Sequence, residues 1–140
     1  MIEYTLSIIK PNIIKKNMLG SICLRLETAR FKIIAAKMIK LDYQDASVFY
    51  YEHKNKDYFK KLINFMISGP IMLQVLKSKN AIKKFRDLIG NTNPKNALTG
   101  TIRSDYGDSL TENAIHGSDS LTSAKREISF FFKKNELFDQ

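Results

Sequence analysis

The chain has 140 residues, 44% of them apolar, enough for one compact domain and too little for two, so residues 1–140 read as a single domain. No stretch approaches the ~20 consecutive apolar residues of a membrane span, MIEYTLSIIKP carries an acid where a signal peptide has its basic region, and the one cysteine, Cys23, can form no internal disulfide; together these predict a cytoplasmic protein without membrane contact. The net charge of +9 would suit nucleic acid if it were clustered, but 18 of the 23 basic residues are lysines scattered as pairs, so solvated faces account for it and no specific nucleic-acid partner is expected.

Tyr4, Leu6 and Ile8 alternate with Thr5, Ser7 and Ile9 in a first strand from Tyr4 to Lys10, which stops at Pro11. Leu19, Ile22, Cys23 and Leu26 then keep the spacing of a core-facing helix, with Cys23 as a buried, inert thiol. Phe31 to Leu41 is apolar on both parities, as a strand covered on both faces would be, although the pattern alone does not exclude a helix. Asp42 can cap the next helix. Two helical stripes, Val48, Phe49 and Tyr51 and then Phe59, Leu62, Ile63 and Met66, flank the polar break HKNKD.

After the turn at Ser68 to Pro70, Ile71 to Lys77 reads as a third strand. Asn80 can cap a helix with the stripe Ala81, Ile82, Phe85, Leu88 and Ile89, ended by Gly90. Asn91 to Glu112 shows no sustained period and exceeds the ~15 residues at which an irregular loop calls for a functional reason. Ala114 to Gly117 forms a short fourth strand, and Ser120 caps a last helix that faces Leu121, Ala124, Ile128 and Phe131 inward. The order predicts an α/β sandwich of two layers, a ferredoxin-like split βαβ with a four-stranded antiparallel sheet covered by helices.

Neither GxxxxGK[ST] nor GxGxxG is present, so phosphate would have to be held by side chains. Lys10, Arg86, Thr92 and Arg103 are the candidate donors. Arg86 reads equally as a solvated helix position, and Arg103 as a structural anchor of the long loop. His116, followed by Gly117, Ser118 and Asp119 near a helix start, is either a packed ring or a nucleophile, and position alone leans slightly toward packing. His53, within EHKNKD, reads as plain surface. Two histidines so placed make no metal site. Glu127, eleven residues after His116, is either exposed or returns to the histidine to fix its tautomer.

SIIKPN at 7–12, FMISGP at 65–70, LIGNTNP at 88–94, GTIRSDY at 100–106 and NAIHGSDS followed by AKREI occur in that order. On these motifs, of which NxxHGSD is the most specific, nearly the whole chain resembles the nucleoside diphosphate kinase family. The resemblance implies a ferredoxin-like α/β sandwich assembled as a homo-oligomer, tetramer or hexamer, and ping-pong transfer of a γ-phosphoryl group between ATP and other nucleoside di- and triphosphates through a phosphohistidine on His116. It implies that Lys10, Arg86, Thr92 and Arg103 hold phosphates and that Lys10 and Asn113 reach the ribose. It places Tyr50 beside the lysine and histidine, has Ser118 and Glu127 orient the imidazole, and has Mg2+ bridge the nucleotide phosphates. Leu110 matches an apolar contact to the base. Tyr58 stands where the family usually has the phenylalanine that stacks on the base, preceded by Asp57 where proline is common. A nucleic-acid-binding or regulatory member without transfer activity is the alternative, and retention of His116, Lys10, Arg86, Arg103 and Asn113 together argues against it.

Overall fold

In the computed structural model, which describes residues 1–140, the first strand, β1 (Ile2–Ile9), is buried on both faces from Thr5 onward. Leu6 and Ile8 join one apolar cluster, and Ile9 joins another. Such a strand belongs in the middle of a sheet. With strands numbered along the chain as β2 (Lys32–Ile39), β3 (Ile71–Lys79) and β4 (Ile115–Gly117), the sheet order is β2-β3-β1-β4, and every pairing is antiparallel. This is the order expected of a split βαβ fold. Its register sets Ile8 opposite His116 and Ser7 opposite Gly117, so the rigid central strand holds the histidine.

Helices cover both faces, and the sandwich therefore has three layers where the sequence pattern suggested two. On one face α1 (Pro11–Lys15), α2 (Leu19–Thr28), α5 (Ala81–Ile89) and α6 (Ile102–Tyr106) pack Ile13, Ile22, Leu26, Phe85 and Ile102 around Ile9 and Leu76. On the other, α3 (Tyr43–Phe49), α4 (Phe59–Met66) and α7 (Leu121–Phe131) surround Leu6, Leu73 and Val75 with Phe49, Leu62, Ile63 and Met66, and partly buried Ile128 joins them. A strand apolar on both parities leaves no face that water could cover without loss.

Several local expectations need correction. Pro11 ends the ladder but also begins α1, because its fixed φ suits the first helical position. Asn80 sits at the start of α5 in a left-handed conformation (φ 49°) and makes no side-chain cap; the Glu3 carboxylate takes the Ile82 N–H instead, at 3.2 Å. Val48 and Tyr51 are exposed, and the buried pair is Phe49 and Tyr50. Leu121, in the first turn of α7, is exposed, whereas Ala124 and Glu127 face inward. Cys23 is half-buried, with its Sγ accepting from Gln74 at 3.3 Å. The span from Asn91 to Glu112 contains a 3-10 turn (Pro94–Asn96) capped by Asn93 and the five-residue α6 capped by Thr101, elements too short to show a period. Asp42 and Ser120 do cap, accepting from Asp45 N at 2.7 Å and Ser123 N at 3.0 Å. No helix is long and apolar enough to cross a membrane.

Candidate active site

The short strand β4 carries His116 past the end of α5, and this close approach needs Gly117. A Cβ there would lie 2.9 Å from the Phe85 ring. The imidazole is met edge-on by Phe49 and Tyr50, with ring centroids 5.6 and 6.3 Å away. Its Nε2 lies 2.8 Å from Glu127 Oε1, to which the Ser118 hydroxyl also donates at 2.7 Å. Ser118 in turn accepts from Leu6 N at 3.2 Å, so it orients the imidazole through the carboxylate and not by direct contact.

Burial alone would raise the Glu127 carboxyl. The His116 hydrogen bond and charge, the Ser118 hydroxyl and the Arg126 guanidinium outweigh it and hold the group below its usual range. Glu127 is thus ionised at neutral pH and accepts a hydrogen bond from Nε2–H, leaving the Nδ1 lone pair free. The packed reading of His116 holds for one nitrogen only: Nε2 is committed to Glu127, and Nδ1 makes no hydrogen bond. Glu127 is 4% exposed, so the solvated reading of that residue is excluded.

Lys10 follows β1 and is buried, donating to Asn113 Oδ1 at 2.8 Å. Burial first, and the Arg103 charge second, push its amine down to about 7. Asn113 donates in turn to the Thr92 carbonyl at 2.9 Å. It reaches inward because Ala114 adopts a left-handed conformation (φ 78°), held although such a residue costs about 1 kcal/mol, while Lys10 N–H binds the Ala114 carbonyl at 2.9 Å. Arg103 donates to the carbonyls of Gly90 at 2.9 Å and Ile115 at 2.7 Å. Burial, then the Arg86 charge, bring its guanidinium down to about 10, still charged at neutral pH. Arg103 is therefore a loop anchor and a cation at once. Its Nε and the Tyr50 hydroxyl are buried without a partner. Burial, followed by the Glu127 charge, raises the Tyr50 phenol, so it remains a protonated donor.

One cleft of about 280 Å3 is lined by Lys10, Tyr50, Tyr58, Arg86, Thr92, Arg103, Leu110, Asn113, His116 and Glu127. Of the residues singled out from the sequence only Ser118 is not in its wall, and it stands directly behind. Arg86 is exposed, as the solvated reading had it, yet lines this cleft. The sequence reading missed His53, Glu52, Thr111 and Asp119, which line it too. His53 is not plain surface: its half-buried ring lies 6.5 Å from that of Tyr50. The available signal was its place three residues after Tyr50, on the same turn, where its N–H binds the Tyr50 carbonyl at 2.9 Å. Four larger hollows, of about 500 to 800 Å3, contain no histidine, and of the arginines only Arg86 also lines one of them. No group of three or more His, Cys, Asp or Glu is placed to hold a metal ion. Asp119 contributes a carboxylate to the cleft, held below its usual range by the Ser123 hydrogen bond first and also by Arg86.

A free imidazole nitrogen facing several cations and hydroxyl donors suits attack on a highly anionic electrophile, the demand of phosphoryl transfer. Comparisons with known proteins agree. Residues 3–137 match the family model described as nucleoside diphosphate kinase. A nucleoside diphosphate kinase of Wigglesworthia glossinidia brevipalpis is 59% identical over 139 residues, 99% of this chain and 98% of the relative. The crystal structure of the Aquifex aeolicus nucleoside diphosphate kinase superposes with a TM-score of 0.95 at 39% identity, covering 98% of this chain and 99% of that one. A halophilic nucleoside diphosphate kinase from Halobacterium salinarum, solved in complex with CDP, superposes at 0.96 and 37% identity, covering 100% and 93%. With the fold, the buried carboxylate–histidine pair and these likenesses in agreement, the chain belongs to the nucleoside diphosphate kinase family, phosphotransferases that move a γ-phosphoryl group from a nucleoside triphosphate to a nucleoside diphosphate.

Proposed function

We propose that His116 is the phosphoryl carrier and that its Nδ1 is the attacking atom. The observation that carries this reading is the 2.8 Å contact between Nε2 and the buried Glu127. In the first half-reaction Nδ1 bonds to the γ-phosphorus while the bond from that phosphorus to the β–γ bridging oxygen breaks, and the diphosphate leaves with the electron pair. In the second, a terminal oxygen of an acceptor diphosphate takes the phosphoryl group and returns the Nδ1 lone pair. Nε2 keeps its proton throughout, hydrogen-bonded to Glu127, and the carboxylate offsets the positive charge on the ring.

Lys10, Arg86, Arg103 and Thr92 hold phosphate oxygens, with the Tyr50 hydroxyl as a further donor. Lys10 and Asn113 reach the ribose, while Tyr58 and Leu110 contact the base from either side. Family membership is consistent with a divalent-metal requirement, and Mg2+ is the cofactor proposed. The cleft suits an ion held mainly by nucleotide phosphates, since its carboxylates, Asp119, Glu52 and the His116-paired Glu127, form no cage. When bound, the ion neutralises phosphate charge.

The substrates are ATP and other nucleoside di- and triphosphates, including cytidine nucleotides by analogy with the halophilic neighbour's CDP complex. Residues 1–140 act as one domain within a homo-oligomer, tetramer or hexamer, in the cytoplasm, where a free thiol such as Cys23 persists. Incubation with γ-labelled ATP is expected to give an acid-labile phosphoprotein that surrenders its label to GDP, and His116→Ala should abolish labelling. Failure of the wild-type protein to take up label would overturn the proposal.

A further inference from the structure

The residue that departs from the family pattern, Tyr58, has its hydroxyl 3.5 Å from Nδ1 of His53, and the two ring centroids are 6.1 Å apart. The other side of that imidazole faces Glu52, with Nε2 3.7 Å from its carboxylate. The Glu52 charge, 3.7 Å from Nε2 and beyond hydrogen-bond reach, favours the proton on that nitrogen, which leaves Nδ1 as the acceptor and the phenol as the donor. A phenol has one proton to give. Turned to His53, it has none for the edge of a base.

The segment these rings close is anchored to the core only at one end, where Tyr58 and Phe59 pack against the apolar cluster of Phe49 and Leu62. Between Tyr51 and Lys61 no residue is buried, and His53, Tyr58 and Phe59 are the half-buried ones. The backbone bonds there are local, from His53 to Tyr50, Lys54 to Tyr51, Lys56 to His53 and Phe59 to Lys56. His53 and Tyr58 both line the nucleotide cleft. We propose that the Tyr58 hydroxyl is a strut to His53 that pre-positions the base-stacking ring and reads no base. The inference rests on the nucleotide-binding reading above. Stacking needs only the aromatic face, which every base can use. The hydroxyl lessens the ordering required when a nucleotide arrives.

The test uses the full chain with Tyr58→Phe, His53→Ala, His53→Asn and the double variant Tyr58→Phe/His53→Ala. In the nucleotide-free wild type, 15N shifts of the His53 ring should show Nδ1 unprotonated and Nε2 protonated, and Tyr58→Phe should give a mixture of tautomers. With ATP as donor and GDP, CDP or UDP as acceptor, Tyr58→Phe should raise each KM by the same factor, about threefold for one lost hydrogen bond, with kcat changed less than about twofold. His53→Ala should raise KM at least as much, and Tyr58→Phe should then add nothing. His53→Asn, whose side-chain oxygen can take the hydroxyl proton, should keep the Tyr58→Phe effect measurable. A Tyr58→Phe change in preference among GDP, CDP and UDP of more than about threefold, unchanged tautomers, or additive effects in the double variant would overturn the strut. Absence of transfer in the wild type would instead overturn the nucleotide reading, and the ring shifts would still decide whether the strut exists.

Discussion

The two ends of the cleft are built on different principles. At the phosphate end Lys10, Arg103, Asn113, Ser118 and Glu127 are buried, and each has a protein partner that fixes it. At the base end Leu110 is 48% exposed, and Tyr58 and His53 are half-buried on a polar segment. The chemistry explains the contrast: phosphoryl transfer needs charges held before the substrate arrives, whereas a site that takes many bases needs only a flat apolar clamp. On the proposed assignment, rigidity is concentrated where the reaction takes place.

The sharpest break of this contrast lies at the carboxylate. Glu127→Gln removes the charge that fixes the His116 tautomer, and kcat should fall about 100-fold or more by analogy with general-base partners, while the KM for nucleotides changes little; stopped-flow labelling of the phosphoenzyme measures it. The two arginines sharpen it next. Arg103→Ala leaves the Gly90 and Ile115 carbonyls unpartnered, so it should lower stability by about 2–4 kcal/mol in urea titrations as well as weaken binding. Arg86 is exposed, and Arg86→Ala should weaken binding with stability unchanged to within about 0.5 kcal/mol.

A third effect concerns protons. Because burial and Arg103 push Lys10 down to about 7 in the free protein, while bound phosphates favour the ammonium form, nucleotide binding should take up a proton above pH 7 and weaken as pH rises through that value. For folding the sign is opposite: between about 7 and the usual lysine value the unfolded chain holds the extra proton, so this group makes the empty protein gain stability as pH rises across that window. Calorimetry in buffers of different ionisation heat, and melting curves of wild type against Lys10→Met, measure the two. The smallest effect belongs to the base end, where Leu110→Ala should raise KM about twofold or less, since the side chain is already half in water. A loss at Leu110 as large as that at Arg103 would erase the proposed difference between the two ends.

Much of this was legible in the residues. β1 showed itself by alternation, Asp42 and Ser120 by capping chemistry, and the site residues by the motifs in which they sit, because each of these signals is local. Other features were not. Nothing near Asn80 says that Glu3, from another strand, will take the Ile82 N–H. Nothing in EHKNKD says that His53 turns inward, and nothing around Arg103 decides between anchor and cation, because its partners Gly90 and Ile115 lie 13 and 12 residues away.

By itself the sequence determined the strand and most helix identities and the order of a split βαβ sheet, since periodicity and caps act over a few residues, while the proposed phosphoryl-transfer groups came from the family resemblance of their motifs. Tertiary structure alone decided that helices cover both faces, that His116 and Ser118 share one carboxylate oxygen of Glu127, and that Lys10 is desolvated. Burial and charge coupling depend on what other segments bring to a point in space, and no window of neighbouring residues contains that information.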